Sequence, residues 1–229
     1  MTVTVPARPE PFALDPATTA VLVIDMQNDF ASPGGGVDTS GGDITPVRAT
    51  VAPIARTLAA ARAAGLPVVY IAHGYAPDLS DLGPEGTKNR LVHADVGRAT
   101  TAPDGTPGRV LVRGTWNTEV IRELAPEPGD PVVGKTRFGA FHGTELDALL
   151  RGLGARTLVV TGCTTSVCVE STVREAAFLD YRTLLLADCT DEIQGRAHHE
   201  STLVLVERLF GWVGDSGAFT AALRAGGED

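Results

Sequence analysis

Lysine is almost missing from this chain: of its 19 basic residues only Lys88 and Lys135 are lysine. Arginine is the default wherever any cation serves, so a surviving lysine marks a place where a compact ammonium is wanted rather than a planar fork. Positive charge is short altogether. A net charge of −9 leaves no basic face for nucleic acid or an anionic membrane, and neither partner is expected. Cysteine is scarce too: three residues, an odd number, do not make a disulfide framework, and a reducing cytoplasm is the expected setting. No apolar run resembles a spanning or targeting segment. The first residues carry Pro6, Pro9 and Pro11 without an apolar stretch, so 1–14 reads as a loose N-terminal arm. Internal repeats and low-complexity tracts are absent. What remains, with 43% hydrophobic and 21% charged residues, suffices for one well-buried domain over 1–229.

Short apolar runs alternate with helix-length amphipathic segments. Ala20–Ile24, Pro67–Ala72, Pro131–Val133, Thr157–Thr161 and Arg182–Ala187 read as strands; 45–64, 144–150, 169–180, 196–210 and 216–225 read as helices. Strands that are apolar on both faces and separated by helices predict a three-layer αβα, Rossmann-like fold with a mainly parallel central sheet. The stretch 74–116 breaks this rhythm. It is rich in Gly, Pro and Asp, contains His93, and is too long for an ordinary connection, so a lid or an interface insertion is expected there.

Cys168 carries the sharpest signal. The strand Thr157–Thr161 stops at Gly162, crosses small and hydroxyl residues, and re-enters structure at Cys168, where helical periodicity begins. First-turn N–H groups and the positive end of the helix dipole stabilise a thiolate, so a depressed pKa and a nucleophilic role are expected of Cys168. A buried apolar filler is the alternative. Cys163 and Cys189 read as core or wall. In open parallel sheets ligands bind beyond the carboxyl ends of the strands, and three such ends carry Asp25, Lys135 and Cys168. A carboxylate, an ammonium and a thiol are the groups that nucleophilic acyl transfer requires. Each alone has an ordinary explanation as a turn residue or a solvated charge; the coincidence of three makes the case.

Three motifs in order carry a resemblance. Asp25–Phe30 with Pro33-Gly34-Gly35, Gly134–Phe138, and Thr161-Gly162 with Thr165, Cys168, Val169 and Thr172 resemble the isochorismatase-like cysteine hydrolases, over about residues 15–222. Within that family Cys168–Glu175, Gly114–Trp116, Glu127–Asp130 and Phe210–Val213 resemble the ureidoacrylate amidohydrolases, and Ala76–Asp81 resembles the biuret hydrolases. The resemblance implies a catalytic triad of Asp25, Lys135 and Cys168. It also implies an oxyanion hole from the backbone N–H groups of Thr164 and Cys168, a cis peptide between Cys163 and Thr164, and assembly as a homodimer or homotetramer. Members that cleave an enol ether lack the cysteine, so Cys168 favours carbon–nitrogen cleavage. The substrate-holding glutamine of biuret hydrolases aligns with Val206 here.

Phe30, His73, Trp116, Phe138 and Phe141 are candidate substrate-contacting walls. No metal and no cofactor are expected, because the closely spaced Asp-x-His of nicotinamidases is missing at His73 and adjacent His198-His199 point to different helix directions. The expected function is a cysteine-dependent amidohydrolase cleaving an amide or ureide of a small molecule through a thioester. Two alternatives stand beside it: opening of a streptothricin-type lactam, for which Asp78, Asp81 and Glu85 would suit a cationic ligand, and a catalytically idle binding subunit.

Overall fold

The computed structural model describes residues 2–227. Ten strands occur among them: β1 (Val3–Val5), β2 (Phe12–Leu14), β3 (Thr19–Ile24), β4 (Val68–His73), β5 (Ala99–Thr101), β6 (Pro107–Arg109), β7 (Val132–Lys135), β8 (Thr157–Cys163), β9 (Arg182–Asp191) and β10 (Trp212–Gly214). Six of these build one sheet in the order β10-β9-β8-β3-β4-β7, and every neighbouring pair in it is parallel. This is the three-layer αβα fold expected from the alternation. β3 and β8 lie at the centre and are buried along their whole length. Successive side chains of a strand point to opposite faces, so Val21 and Val23 enter one core while Ala20, Leu22 and Ile24 enter the other.

The helices Val51–Ala63 and Ser216–Gly226 cover the first face, through Val51, Ile54, Leu58 and Ala61 at helical spacing and through Phe219 and Leu223. Helices Leu146–Gly152, Glu170–Phe178 and Arg196–Leu205 cover the second. Among the described residues no helix is long and apolar enough to cross a membrane.

The N-terminal arm is a correction. Of 1–14, the described residues 2–14 are not loose: β1 and β2 pair antiparallel, with Val5, Phe12 and Leu14 buried in the first core. Phe12 packs on Trp212 at 4.9 Å between ring centroids, and the Arg182 guanidinium lies over its ring. Two three-residue alternations, Val-Thr-Val and Phe-Ala-Leu, carry this pairing, and the prolines between them mask it. β9 is also longer than expected. It runs past Asp188 to Asp191 after a register shift against β8, which brings Asp191 beside Cys163.

The stretch 74–116 is ordered around its own small cluster of Tyr75, Leu82, Val110 and Leu111, with a short helix Lys88–Val92 and the antiparallel pair β5–β6. A buried carboxylate just beyond β3 holds its Leu111 end. Asp29 accepts from Gly36 N at 2.7 Å, Leu111 N at 2.5 Å and Asn117 Nδ2 at 2.6 Å.

Candidate active site

Three parallel strands deliver Asp25, Lys135 and Cys168 to one point. Asp25 follows the last residue of β3 with φ of +51°, a left-handed conformation that Asp tolerates better than most residues. Lys135 ends β7. Cys168 follows β8 after a wide turn, Thr165–Val169, in which Val169 N reaches back to Thr164 O before the helix Glu170–Phe178 begins. β8 and β3 approach so closely here that a Cβ on Gly162, whose φ is +116°, would overlap the Ile24 carbonyl. Cys163–Thr164 is a cis peptide, as the resemblance implied.

An ammonium has three N–H donors, and Lys135 faces three partners. Its Nζ lies 2.8 Å from Asp25 Oδ2, donates to Cys168 Sγ at 3.3 Å and donates to Arg137 O at 3.1 Å. Both partner side chains are buried. The Asp25–Lys135 contact is an ion pair off the ideal hydrogen-bond direction, and neither carboxylate oxygen completes a well-aligned hydrogen bond, so Asp25 keeps capacity to accept a proton. Burial raises the Asp25 pKa, and the charge of Lys135 opposes that rise. Burial also lowers the tendency of Lys135 to hold its proton, but Asp25 and Cys168 outweigh it and the ammonium is held more firmly than usual.

The expected depression of the Cys168 pKa is not found. Burial and the neighbouring Asp25 carboxylate push the thiol up, and Lys135 only partly compensates. The dipole of a helix end is a half-charge effect, whereas full desolvation of a thiolate beside a carboxylate is larger. Cys168 therefore rests as a thiol next to a carboxylate.

Asp25 and Cys168 line a cavity of about 560 Å³, within the usual range for small-molecule sites. Of the expected walls, Phe30, His73 and Phe138 line it, as does Thr164. Trp116 and Phe141 do not. Trp116 opens a short turn and offers its carbonyl to Asn28 Nδ2, while Phe141 packs into the second core against Tyr181, at 5.7 Å between rings. Aromatic type alone suggested both, and it does not distinguish a wall from core. Val206 likewise is core.

His73 is placed by Gln27, whose side chain donates to His73 O and Thr118 O and accepts from His73 N. Its Nε2 meets Tyr75 OH at 3.1 Å, and Tyr75 OH in turn meets His93 Nδ1 at 3.2 Å. Burial and the charges of Lys135, His93 and Arg137 lower the His73 pKa well below the ordinary value, so the imidazole is neutral. Asp25, His73 and Cys168 offer ligand atoms within 4.8 Å of one another, a possible three-ligand metal set that distance along the sequence concealed. Lys135 Nζ already supplies a cation to two of the three.

Sequence reasoning missed the clamp behind the nucleophile. The buried Glu192 accepts from Ser166 N at 2.9 Å and Ser166 Oγ at 2.6 Å through one oxygen, and from Ile193 N and Gln194 N through the other. Thr165 Oγ1 meets Thr190 Oγ1 and His199 Nδ1, each at 2.9 Å. Ile193 and Gln194 line the cavity, as do Val92, His93, Asp95 and Val96 from the long stretch. A Glu one residue past a strand was the available signal, hidden because β9 runs four residues beyond the expected end at Ala187.

Residues 19–218 match the isochorismatase domain family. The chain belongs to that family. It is 43% identical over 221 residues to the ureidoacrylate amidohydrolase RutB of Methylobacterium radiotolerans, covering 96% of this chain and 85% of that one. The corresponding protein of Variovorax paradoxus is 44% identical over 208 residues, covering 91% and 82%. In shape the chain is similar to a cysteine hydrolase from Pseudomonas syringae pv. phaseolicola, with TM-score 0.80, 28% identity and 98% of both chains covered. It is also similar to the N-carbamoylsarcosine amidase of Thermoplasma acidophilum, with TM-score 0.66, 25% identity, and 87% and 96% covered. This isochorismatase-family chain is an amidohydrolase, acting on carbon–nitrogen bonds outside peptides.

Proposed function

We propose that the chain hydrolyses an amide or ureide bond of a small molecule through a thioester on Cys168. The observation that carries this reading is Lys135 Nζ standing between Asp25 Oδ2 and Cys168 Sγ, two residues that line the cavity. Asp25 takes the thiol proton as Cys168 Sγ attacks the carbonyl carbon, and Lys135 holds both partners in register. The carbonyl oxygen becomes an oxyanion facing the backbone N–H groups of Thr164 and Cys168. Its collapse breaks the carbon–nitrogen bond, and the leaving nitrogen takes the proton from Asp25. Water then attacks the thioester and gives a proton to Asp25; the sulfur leaves and recovers that proton.

A ureide substrate is supported by the relatives named as ureidoacrylate amidohydrolases, and the stretch 74–116 serves as the wall that selects among ureides. Ammonia release across a panel of ureides, carboxamides and cyclic amides tests the proposal, with mass spectrometry of the acylated protein. Cys168→Ser should lose both ammonia release and the acyl adduct. Undiminished turnover in that variant sinks the thioester.

A further inference from the structure

We infer that the cavity accepts an uncharged amide or ureide and discriminates against one that carries a carboxylate; this rests on the function proposed above and narrows its substrate class. The inference starts from the charges that face the bound molecule. Among the described residues that line the cavity none is arginine or lysine, and the two charged side chains away from the floor, Asp29 and Asp95, are both acidic. Lys135 does not line the cavity, and its ammonium is already ion-paired with Asp25 while donating to Cys168 Sγ and the Arg137 carbonyl.

The other cations nearby are turned elsewhere. Arg98 gives Nε to Asp95 at 2.7 Å and Nη2 to Thr39 and Ser40. Arg137 donates to the carbonyls of Thr136 and Asp81. His73 and His93 could present a positive charge only if protonated, and burial together with Lys135 and Arg137 lowers both pKa values. Much of the remaining wall is apolar, from Phe30, Val92, Val96, Val110, Phe138 and Ile193. A carboxylate entering such a site loses water and gains no counter-ion, which is unfavourable in a low-dielectric pocket. An uncharged substituent of similar size loses little and gains apolar contact.

The acid named for the relatives, ureidoacrylate, provides the test. Wild-type protein is assayed for ammonia release with ureidoacrylate against its methyl ester, and with 3-ureidopropionate against N-butylurea. Ester cleavage releases no ammonia, so the readout reports the ureide alone. Calorimetry of the same four compounds with Cys168→Ser reads binding independently of turnover. The uncharged member of each pair should show kcat/KM on the order of 100-fold higher and should bind more tightly, since a pocket rejects strongly what leaves a charge unpaired. Asp95→Asn releases Arg98 and should narrow the gap about tenfold.

Acids turned over as fast as their uncharged partners, or bound as tightly, overturn the inference while leaving the thioester standing. Ammonia release from the uncharged compounds that persists in Cys168→Ser overturns the underlying function instead.

Discussion

Replacing Lys135 with methionine tests the centre of the site most directly. The methionine side chain fills much of the same volume, so the perturbation is the removal of one positive charge from a pocket where Lys135 is wholly shielded from solvent and Asp25 nearly so. Removing one partner of a buried pair leaves an uncompensated charge and typically costs about 3–5 kcal/mol, far more than the pair itself contributes over an apolar substitute. At pH 7 urea unfolding followed by circular dichroism should show a loss of that order for Lys135→Met. The double variant Asp25→Asn/Lys135→Met should recover about 2 kcal/mol or more of it. The pH dependence has a definite sign. Without the ammonium, burial raises the Asp25 pKa further above its unfolded value of roughly 3.9. The folded state then holds the proton more tightly, so the penalty is absent below the unfolded pKa and grows until pH passes the folded one. A single variant that loses under about 1 kcal/mol at pH 7, or a double variant that loses the sum of both singles, would refute the buried-charge account.

Other outcomes follow from the same geometry. Asp25→Asn and Lys135→Arg should each lower kcat by roughly 10²–10⁴, the first by removing the proton acceptor and the second because a planar fork does not fit three converging acceptors; an active arginine variant in steady-state assays would exclude the ammonium's role. Cys163→Ser and Cys189→Ser should keep most activity, since burial pushes both thiols up and Cys163 already donates to Asp25 O. Iodoacetamide should label Cys168 at pH 8 at least about tenfold more slowly than free cysteine, because its raised pKa keeps it as a thiol; faster labelling would mean a resting ion pair. Chelator treatment should leave turnover unchanged, because Lys135 occupies the cationic position beside Asp25 and Cys168; inactivation reversed by one added metal would contradict this.

The strand ends were legible because the chemistry changes abruptly there: Ile24 to Asp25, Gly134 to Lys135, and Gly162 through to Cys168. Such breaks need no tertiary information, and the αβα layering follows from their spacing. The N-terminal pair β1–β2 was not legible, since three-residue strands gain their stability from Trp212 and the helix Ser216–Gly226, some 200 residues away. The protonation state of Cys168 was misjudged for a related reason. Sequence gives its place at a helix start, while the burial and the facing carboxylate that outweigh the dipole arise only when three strands converge. Glu192 and Asp29 were invisible as anchors because their partners, Ser166 and Leu111, lie 26 and 82 residues away.

The Glu192 clamp has a consequence for how this enzyme can diversify. One carboxylate grips both the backbone that leads to Cys168 and the wall residues Ile193 and Gln194, so a mutation that reshapes this wall also tugs on the nucleophile. Another part of the lining, Val92 to Val96, belongs to a segment with its own small core, which Asp29 anchors at Leu111. Selection or laboratory evolution for a new substrate therefore meets two unequal routes: Val92, Asp95 and Val96 can be redrafted without touching the groups around Cys168, whereas His93, linked through Tyr75 to His73, and the wall gripped by Glu192 cannot. Substitutions that alter selectivity at no cost in rate should accumulate in 88–97 outside His93, whereas those at 192–194 should arrive in compensated pairs.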